Sequence, residues 1–214
     1  MDYKKLIEAD KIYYRIEPRG INYDGYMKRK NWDAWSTSNV PFEEVEMLFG
    51  FIKSWDRFFQ GDKDLFVEIY KEIFPFIEKV RNEKIEETKV LGELSVEIRR
   101  TFDKVAECPG GGRYESTDAS KILHTIVPNF FIMWDDKIKD GTVQSGSNGA
   151  VYAIKFLPKM QLELKEAIES CMKEKQLGHE EAIEYISKAC NGKTLAKMAD
   201  EYNYVKYTKG YSNL

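Results

Sequence analysis

The chain reads as all-α, a single domain spanning 1–214 and built as an irregular array of about eight or nine helices. Three observations predict this. Large apolar residues recur at three- and four-residue intervals through several long windows. Few segments show the sustained alternation of a half-buried strand, and none forms a repeated strand–helix series. The composition, 43% hydrophobic with a net charge of −3 over 214 residues, supports a packed core and excludes a charge-dominated disordered polymer.

The first helix is expected near Tyr3 to Tyr14, where Leu6, Ile7 and Ile12 form a partial apolar stripe and Pro18-Arg19-Gly20 ends the pattern. The segment 15–39 has no stable period. Its rings, Tyr23, Tyr26, Trp32 and Trp35, interleave with Arg19, Lys28, Arg29 and Lys30, which predicts irregular chain pinned to the core by aromatic burial. After Ser38-Asn39-Val40-Pro41, Val45, Leu48, Phe49, Ile52, Trp55 and Phe59 define the broad stripe of a helix whose start carries Glu43, Glu44 and Glu46. Asp62 is a cap for the next helix, with Leu65, Phe66, Ile69, Ile73, Phe76 and Ile77 inward and a kink or break expected after about Ile73 because of Pro75. A further helix is expected from about Glu87 to Glu107 on Leu91, Leu94, Ile98, Phe102 and Val105.

Cys108-Pro109-Gly110-Gly111-Gly112 stops that helix and opens an internal loop, 108–117. Ser116, Thr117 or Asp118 then caps a short helix to Val127, with Ile122, Leu123 and Ile126 inward and Pro128 behind it. A helical turn at Asp135 to Lys139 precedes a second loop, 140–149. From Asn148 or Gly149, Val151, Ile154, Leu157, Met160, Leu164, Ile168 and Cys171 mark a long helix in which Pro158 predicts a bend or two abutting helices. His179 to Cys190 and Thr194 to Glu201 are the last two, divided by Asn191-Gly192. A minor β element is allowed near Thr142 to Ser147 or Val205 to Lys209.

Several classes are disfavoured. Cys108, Cys171 and Cys190 form neither a disulfide framework nor a CxxC clamp, which with the absence of a secretory start predicts a reduced, cytoplasmic protein. No apolar run of about 20 residues exists, so no membrane span is expected. His124 and His179 are the only histidines and do not suggest a metal site, and the glycine run lacks the lysine of a phosphate loop, so no metal and no cofactor is predicted. Cys108 and His124 would make a thiolate–imidazole pair only if the fold joined them.

Two surfaces predict a binding module for nucleic acid or another anionic partner. Arg29, Lys30 and Trp32 pair cations with a ring, Arg113 follows the glycine turn, and Lys193, Lys197 and Lys206 alternate with tyrosines in a C-terminal stretch of four positive and two negative residues. The even charge balance of the whole chain argues against strong nonspecific DNA binding. Self-association as a homodimer is a third reading of the same tail.

The densest segment for chemistry is 109–136. Lys121 and His124 are three residues apart, and the turn at Pro128 returns Asp135 toward them, which makes a candidate Lys/His/Asp pocket. A desolvated amine is a nucleophile, a carboxylate manages its proton, and an imidazole exchanges protons near neutrality. The competing structural reading makes Lys121 an ion-pair residue, His124 a buried hydrogen-bonder and Asp135 a helix cap. A glycine turn, a helix bearing Lys121, a proline and then Asp135 resemble the hairpin–lysine–aspartate arrangement of helix-hairpin-helix DNA glycosylases. That resemblance covers about 30 residues. It implies hairpin roles for Gly110 and Gly112, a nucleophilic Lys121 and an assisting Asp135, as in a lysine-dependent glycosylase or lyase.

Overall fold

The computed structural model describes residues 1–31, 35–144 and 146–214. Its described residues form ten helices and no strand. They are α1 (Tyr3–Ile16), α2 (Gly20–Arg29), α3 (Phe42–Trp55), α4 (Lys63–Val80), α5 (Glu93–Ala106), α6 (Ser116–Ile126) and α7 (Asp136–Thr142). Helix α8 runs from Gly149–Val151 through a π-helical turn, Tyr152–Phe156, into Leu157–Lys175; α9 is His179–Ala189. Helix α10, Leu195–Asn203, ends in a second π turn, Tyr204–Thr208, which occupies one of the two places where a β element was allowed.

Five caps follow the side-chain chemistry of the sequence. Asp2, Asp62, Asp135, Asn148 and Thr194 each accept a hydrogen bond from the backbone N–H three residues on, closing one of the open donors of a helix start. Helix α6 begins differently: Glu115 is its cap residue, without a side-chain bond, so none of Ser116, Thr117 and Asp118 plays that part.

The largest departure from the sequence expectation is α2, which lies inside the segment 15–39 read as irregular. Tyr23 and Tyr26, three residues apart, bury their rings on α3: Tyr23 stacks on Trp55 with centroids 5.6 Å apart, and Tyr26 on Phe51 at 4.3 Å. Tertiary stacking thus supplies what Gly20 and Gly25 take away from helix propensity. Trp35, the last ring of the segment, is buried edge-on to Tyr70. Trp32 lies outside the described residues.

Prolines disturb the helices less than expected. Helix α4 continues through Pro75, whose flanks Ile73, Phe76 and Ile77 are all buried. In α8 the chain widens into the π turn just ahead of Pro158, where Leu157 N–H donates to the Tyr152 carbonyl. Proline cannot donate a helical bond, and the widened turn keeps 149–175 continuous. Helix α5 starts later than predicted because Gly92, at φ 83°, holds left-handed backbone, and Leu91 before it is exposed. The loop that follows α5 turns on Gly110, Gly111 and Gly112, all at positive φ.

Buried apolar side chains of all these helices join in one hydrophobic cluster. Tyr152 sits at its centre, stacked on Phe102 at 4.3 Å, donating to the Ile132 carbonyl at 2.7 Å and accepting from the Ile132 N–H at 3.1 Å. The segment 130–134, though not helical, is thereby satisfied in the interior: Ser120 Oγ also accepts from Trp134 N–H at 3.1 Å. The first and last helices, α1 and α10, pack against each other and bring the two ends of the chain together. Among the described residues, no helix is long and apolar enough to cross a membrane.

Helix α8 approaches α5 so closely that a Cβ on Gly149 would stand 2.5 Å from the Arg99 carbonyl and 2.7 Å from Asp103. Gly149→Ala is expected to lower stability by about 1–3 kcal/mol in urea unfolding. Gly50→Ala, in the open face of α3 with nothing within 4 Å, is expected to raise it by about 0.5–1 kcal/mol. Equal effects at both sites would show that the α5–α8 contact is not tight.

Candidate active site

Helix α6 lays Asp118 and Lys121 one turn apart on a single face, while Ile122, Leu123 and Ile126 point inward. That polar face meets the C-terminal end of α3, where the chain turns at Asp56. Lys121 Nζ lies 3.0 Å from Asp56 Oδ2 and 3.4 Å from Asp118 Oδ1, with its side chain only 13% exposed. The three groups open onto a cleft of about 400 Å³. Trp55, Met133 and Trp134 supply apolar wall, and α1 and α10 close the far side with Tyr13, Asp200 and Tyr204.

The carboxylates of this cleft differ in character. Burial pushes the Asp118 carboxyl up to about 6; Lys121 pulls it back and Asp56 adds to the rise. Burial acts on Asp56 in the same direction, but the hydrogen bond and charge of Lys121 outweigh it and hold this carboxyl below its ordinary value. Glu17, at the rim, is lowered to about 2, first by its hydrogen bonds from Arg19 and against the effect of burial. Tyr204 donates to Glu17 Oε2 at 2.5 Å. Asp118 is therefore a carboxyl of the cleft raised toward neutral pH beside an amine; burial also raises Asp200, beside Lys197.

Asp135 reaches the same cleft, as the sequence spacing suggested, but its oxygens are engaged. Oδ1 accepts from Ile138 N–H at 2.8 Å and Oδ2 from Thr208 Oγ at 2.6 Å, which ties α7 to the π turn after α10. His124 does not line the cleft. It is fully buried on α6 itself, and its Nδ1 donates to the Phe131 carbonyl at 2.7 Å. The neutral ring then accepts at Nε2 from the Tyr23 hydroxyl, 2.9 Å away. Burial, with the nearby charge of Lys197, drops its pKa to about 3. Of the three residues read as a trio, the structure brings Lys121 and Asp135 to one cavity and assigns His124 to the scaffold.

The residues read as an anion-binding surface are dispersed. Arg29, exposed, donates to Gly25 O in its own helix, and Lys30 Nζ donates to Thr125 O. Arg113 spans Gln60 and Pro109 O, beside a glycine turn that contributes nothing to the cleft lining. Lys206 donates to the Tyr202 hydroxyl. Lys193 and Lys197 are interior: Lys193 Nζ lies 2.5 Å from Asp10 and 2.6 Å from Glu201, and Lys197 Nζ lies 2.7 Å from Asp200 and 3.6 Å from Glu201. Burial opposes the charge of Lys197, but Asp200, Tyr13 and Glu201 more than offset it and raise its pKa. Burial lifts Glu201 to about 7.

Sequence reasoning did not single out Asp56 or assign chemistry to Asp118. Asp118 carried a legible signal, one helical turn before Lys121. Asp56, 65 residues away, carried none. Cys108, Cys171 and Cys190 are free and buried; the Cys108 thiol is pushed up to about 12 by burial, and both nitrogens of His124 are engaged elsewhere, so the two form no thiolate–imidazole pair. No protein-family model, curated protein or solved structure matches the chain.

The titrations predict opposite pH trends. Asp118 binds its proton more tightly folded than unfolded, so the stability it contributes is complete below about pH 4 and is lost as pH rises through 6, about 3 kcal/mol in all. His124 binds its proton less tightly folded, so its contribution, up to about 5 kcal/mol, is lost as pH falls from 6.5 toward 3. In urea unfolding at pH 8 against pH 4.5, Asp118→Asn is expected to gain about 2–3 kcal/mol relative to the parent chain. Between pH 7 and 5, His124→Gln is expected to lose less stability than the parent chain, although it starts lower. Parallel curves for parent and variants would refute these assignments.

Proposed function

We propose that this chain is a lysine-centred enzyme acting on a small carbonyl-bearing molecule held in the cleft, with Lys121 as nucleophile and Asp118 as its proton partner. The observation that carries this reading is the contact of Lys121 with Asp118 and Asp56 on the wall of a cavity of small-molecule size. For Lys121 to attack, its ammonium gives a proton to Asp118, whose carboxyl accepts and returns protons close to neutrality. The free amine then forms a C–N bond to the carbonyl carbon. The carbonyl oxygen leaves as water, taking one proton from the attacking nitrogen and the one that Asp118 returns, and a protonated imine remains beside the Asp118 carboxylate. Asp56 holds the amine in place through the first step, and the half-buried indole of Trp55 offers apolar surface to the rest of the ligand.

This reading retains the lysine chemistry implied by the resemblance to the glycosylases and moves the proton-handling role from Asp135 to Asp118. A nucleic-acid-binding module draws less support, because Lys193 and Lys197 face buried carboxylates and the cleft itself is rich in acids.

Reductive labelling tests the assignment. With limiting salicylaldehyde and cyanoborohydride followed by peptide mapping, Lys121 is expected to be modified ahead of Lys4 and Lys188, whose side chains are 64% and 73% exposed. Asp118→Asn is expected to slow labelling of Lys121 by roughly tenfold or more and to leave the exposed lysines unchanged. Modification of Lys4 and Lys188 with Lys121 untouched would overturn the proposal.

A further inference from the structure

The charges of the same cleft favour one class of ligand. Seven carboxylate residues contribute to its lining, against two cations, Arg19 and Lys121; two of the seven, Asp200 and Asp136, are paired with Lys197 and Lys139 behind the lining, which still leaves acids in excess. Both cations are already met: Arg19 grips Glu17 through two bonds of 2.6 Å, and Lys121 lies between Asp56 and Asp118. Asp135, in contrast, draws both its hydrogen bonds from neutral donors. An anionic ligand would bring further negative charge into a recess where solvent and salt screen poorly.

A hard metal ion does not fit this lining. Among the described residues, no three carboxylate, imidazole or thiol groups converge as a metal would require. The acids are spread around the cavity and separated by rings. Carboxylates interleaved with indole and phenol faces suit an organic cation of delocalised charge, which the ring quadrupoles attract without coordination bonds. The protein's own ammonium groups are drawn to the same rings: Lys197 Nζ lies 5.3 Å from the Trp55 centroid and 4.9 Å from that of Tyr13, and Lys139 Nζ lies 5.5 Å from that of Trp134.

We propose that the cleft takes a planar organic cation, an amidinium or a protonated heteroaromatic amine, its ring against the half-buried Trp55 and its charge toward Asp118 and Asp135. This rests on the cleft being the working site and adds the charge and shape of what enters it. The substrate of the lysine chemistry would then carry its carbonyl on a flat, positively charged body.

Three ligands of one shape separate the possibilities: benzamidine, benzamide and benzoate, positive, neutral and negative at pH 7.5. Calorimetric titration of the full chain is expected to give benzamidine an affinity at least about tenfold above benzamide, with benzoate unbound. Asp118→Asn is expected to weaken benzamidine about fivefold or more and to leave benzamide unchanged. Asp135→Asn, which keeps an oxygen acceptor for the cap, provides a second variant should the first fold poorly. Benzamidine is also expected to protect Lys121 from salicylaldehyde. Benzoate bound as well as or better than benzamidine would overturn the ligand class and leave the site in place. Failure of all three to bind, with Lys121 still labelled first, would overturn this inference alone. Benzamidine binding while Lys121 resists labelling would support the ligand class and refute the lysine chemistry.

Discussion

An ammonium taken out of water must be met by opposite charge, and this fold is organised around two that are. Lys193 and Lys197, at the start of the last helix, sit among Asp10 of α1 and Asp200 and Glu201 of α10. Removing one partner from such a group leaves an unpaired buried charge and costs about 3–5 kcal/mol, which makes the pairing a condition of the α1–α10 contact. Three carboxyls face two ammoniums, and the odd proton has an identifiable place on Glu201, which burial lifts to about 7. The chain ends are thereby joined by a group that tolerates little rearrangement.

The cleft inherits its far wall from that junction. Tyr13 and Glu17 belong to α1 or its end, and Asp200 and Tyr204 to α10 and its π turn, so the lining on this side stands on the two helices that the buried charges join. The near wall is fixed from behind by His124, a neutral ring that joins α2 to the 130–134 segment through Tyr23 and Phe131. Lys121 and Asp118 stand one and two turns before His124 on α6, so the groups proposed for chemistry sit on an element held by interior hydrogen bonds.

How much of this was legible depended on the range of the interaction. Caps at Asp62, Asp135, Asn148 and Thr194 involve groups three residues apart, and their chemistry is visible in the sequence. Helix α2 was hidden because its stability comes from Tyr23 and Tyr26 stacking on α3, not from an apolar period of its own. Lys121 and Asp135 were legible as residues that a turn at Pro128 could unite. Asp56 was not, since only the folded α3–α6 contact places it beside the amine. Lys193 and Lys197 alternate with tyrosines as a basic surface would. The contrary signs were local: Asp200 and Glu201 follow Lys197 by one helical turn, and Asp10 shares the buried stripe of Leu6 and Tyr13.

The π turn at Tyr152–Phe156 carries a consequence for insertions and deletions in this chain. A π turn holds one residue more than the α-helix around it, so deleting a single residue there would restore regular winding without breaking the rod. Because the extra residue is wound into the wider turn, the two parts of α8 would keep their phase, whereas a deletion in the regular stretch Leu157–Lys175 would rotate one part by about 100° against the other. Such a deletion would turn Tyr152 away from both atoms of Ile132 and take Gly149 from its seat on Arg99. A residue gained or lost between α7 and α8 would leave that phase intact, which makes Leu157–Lys175 the stretch where residue number, more than residue identity, is under structural control.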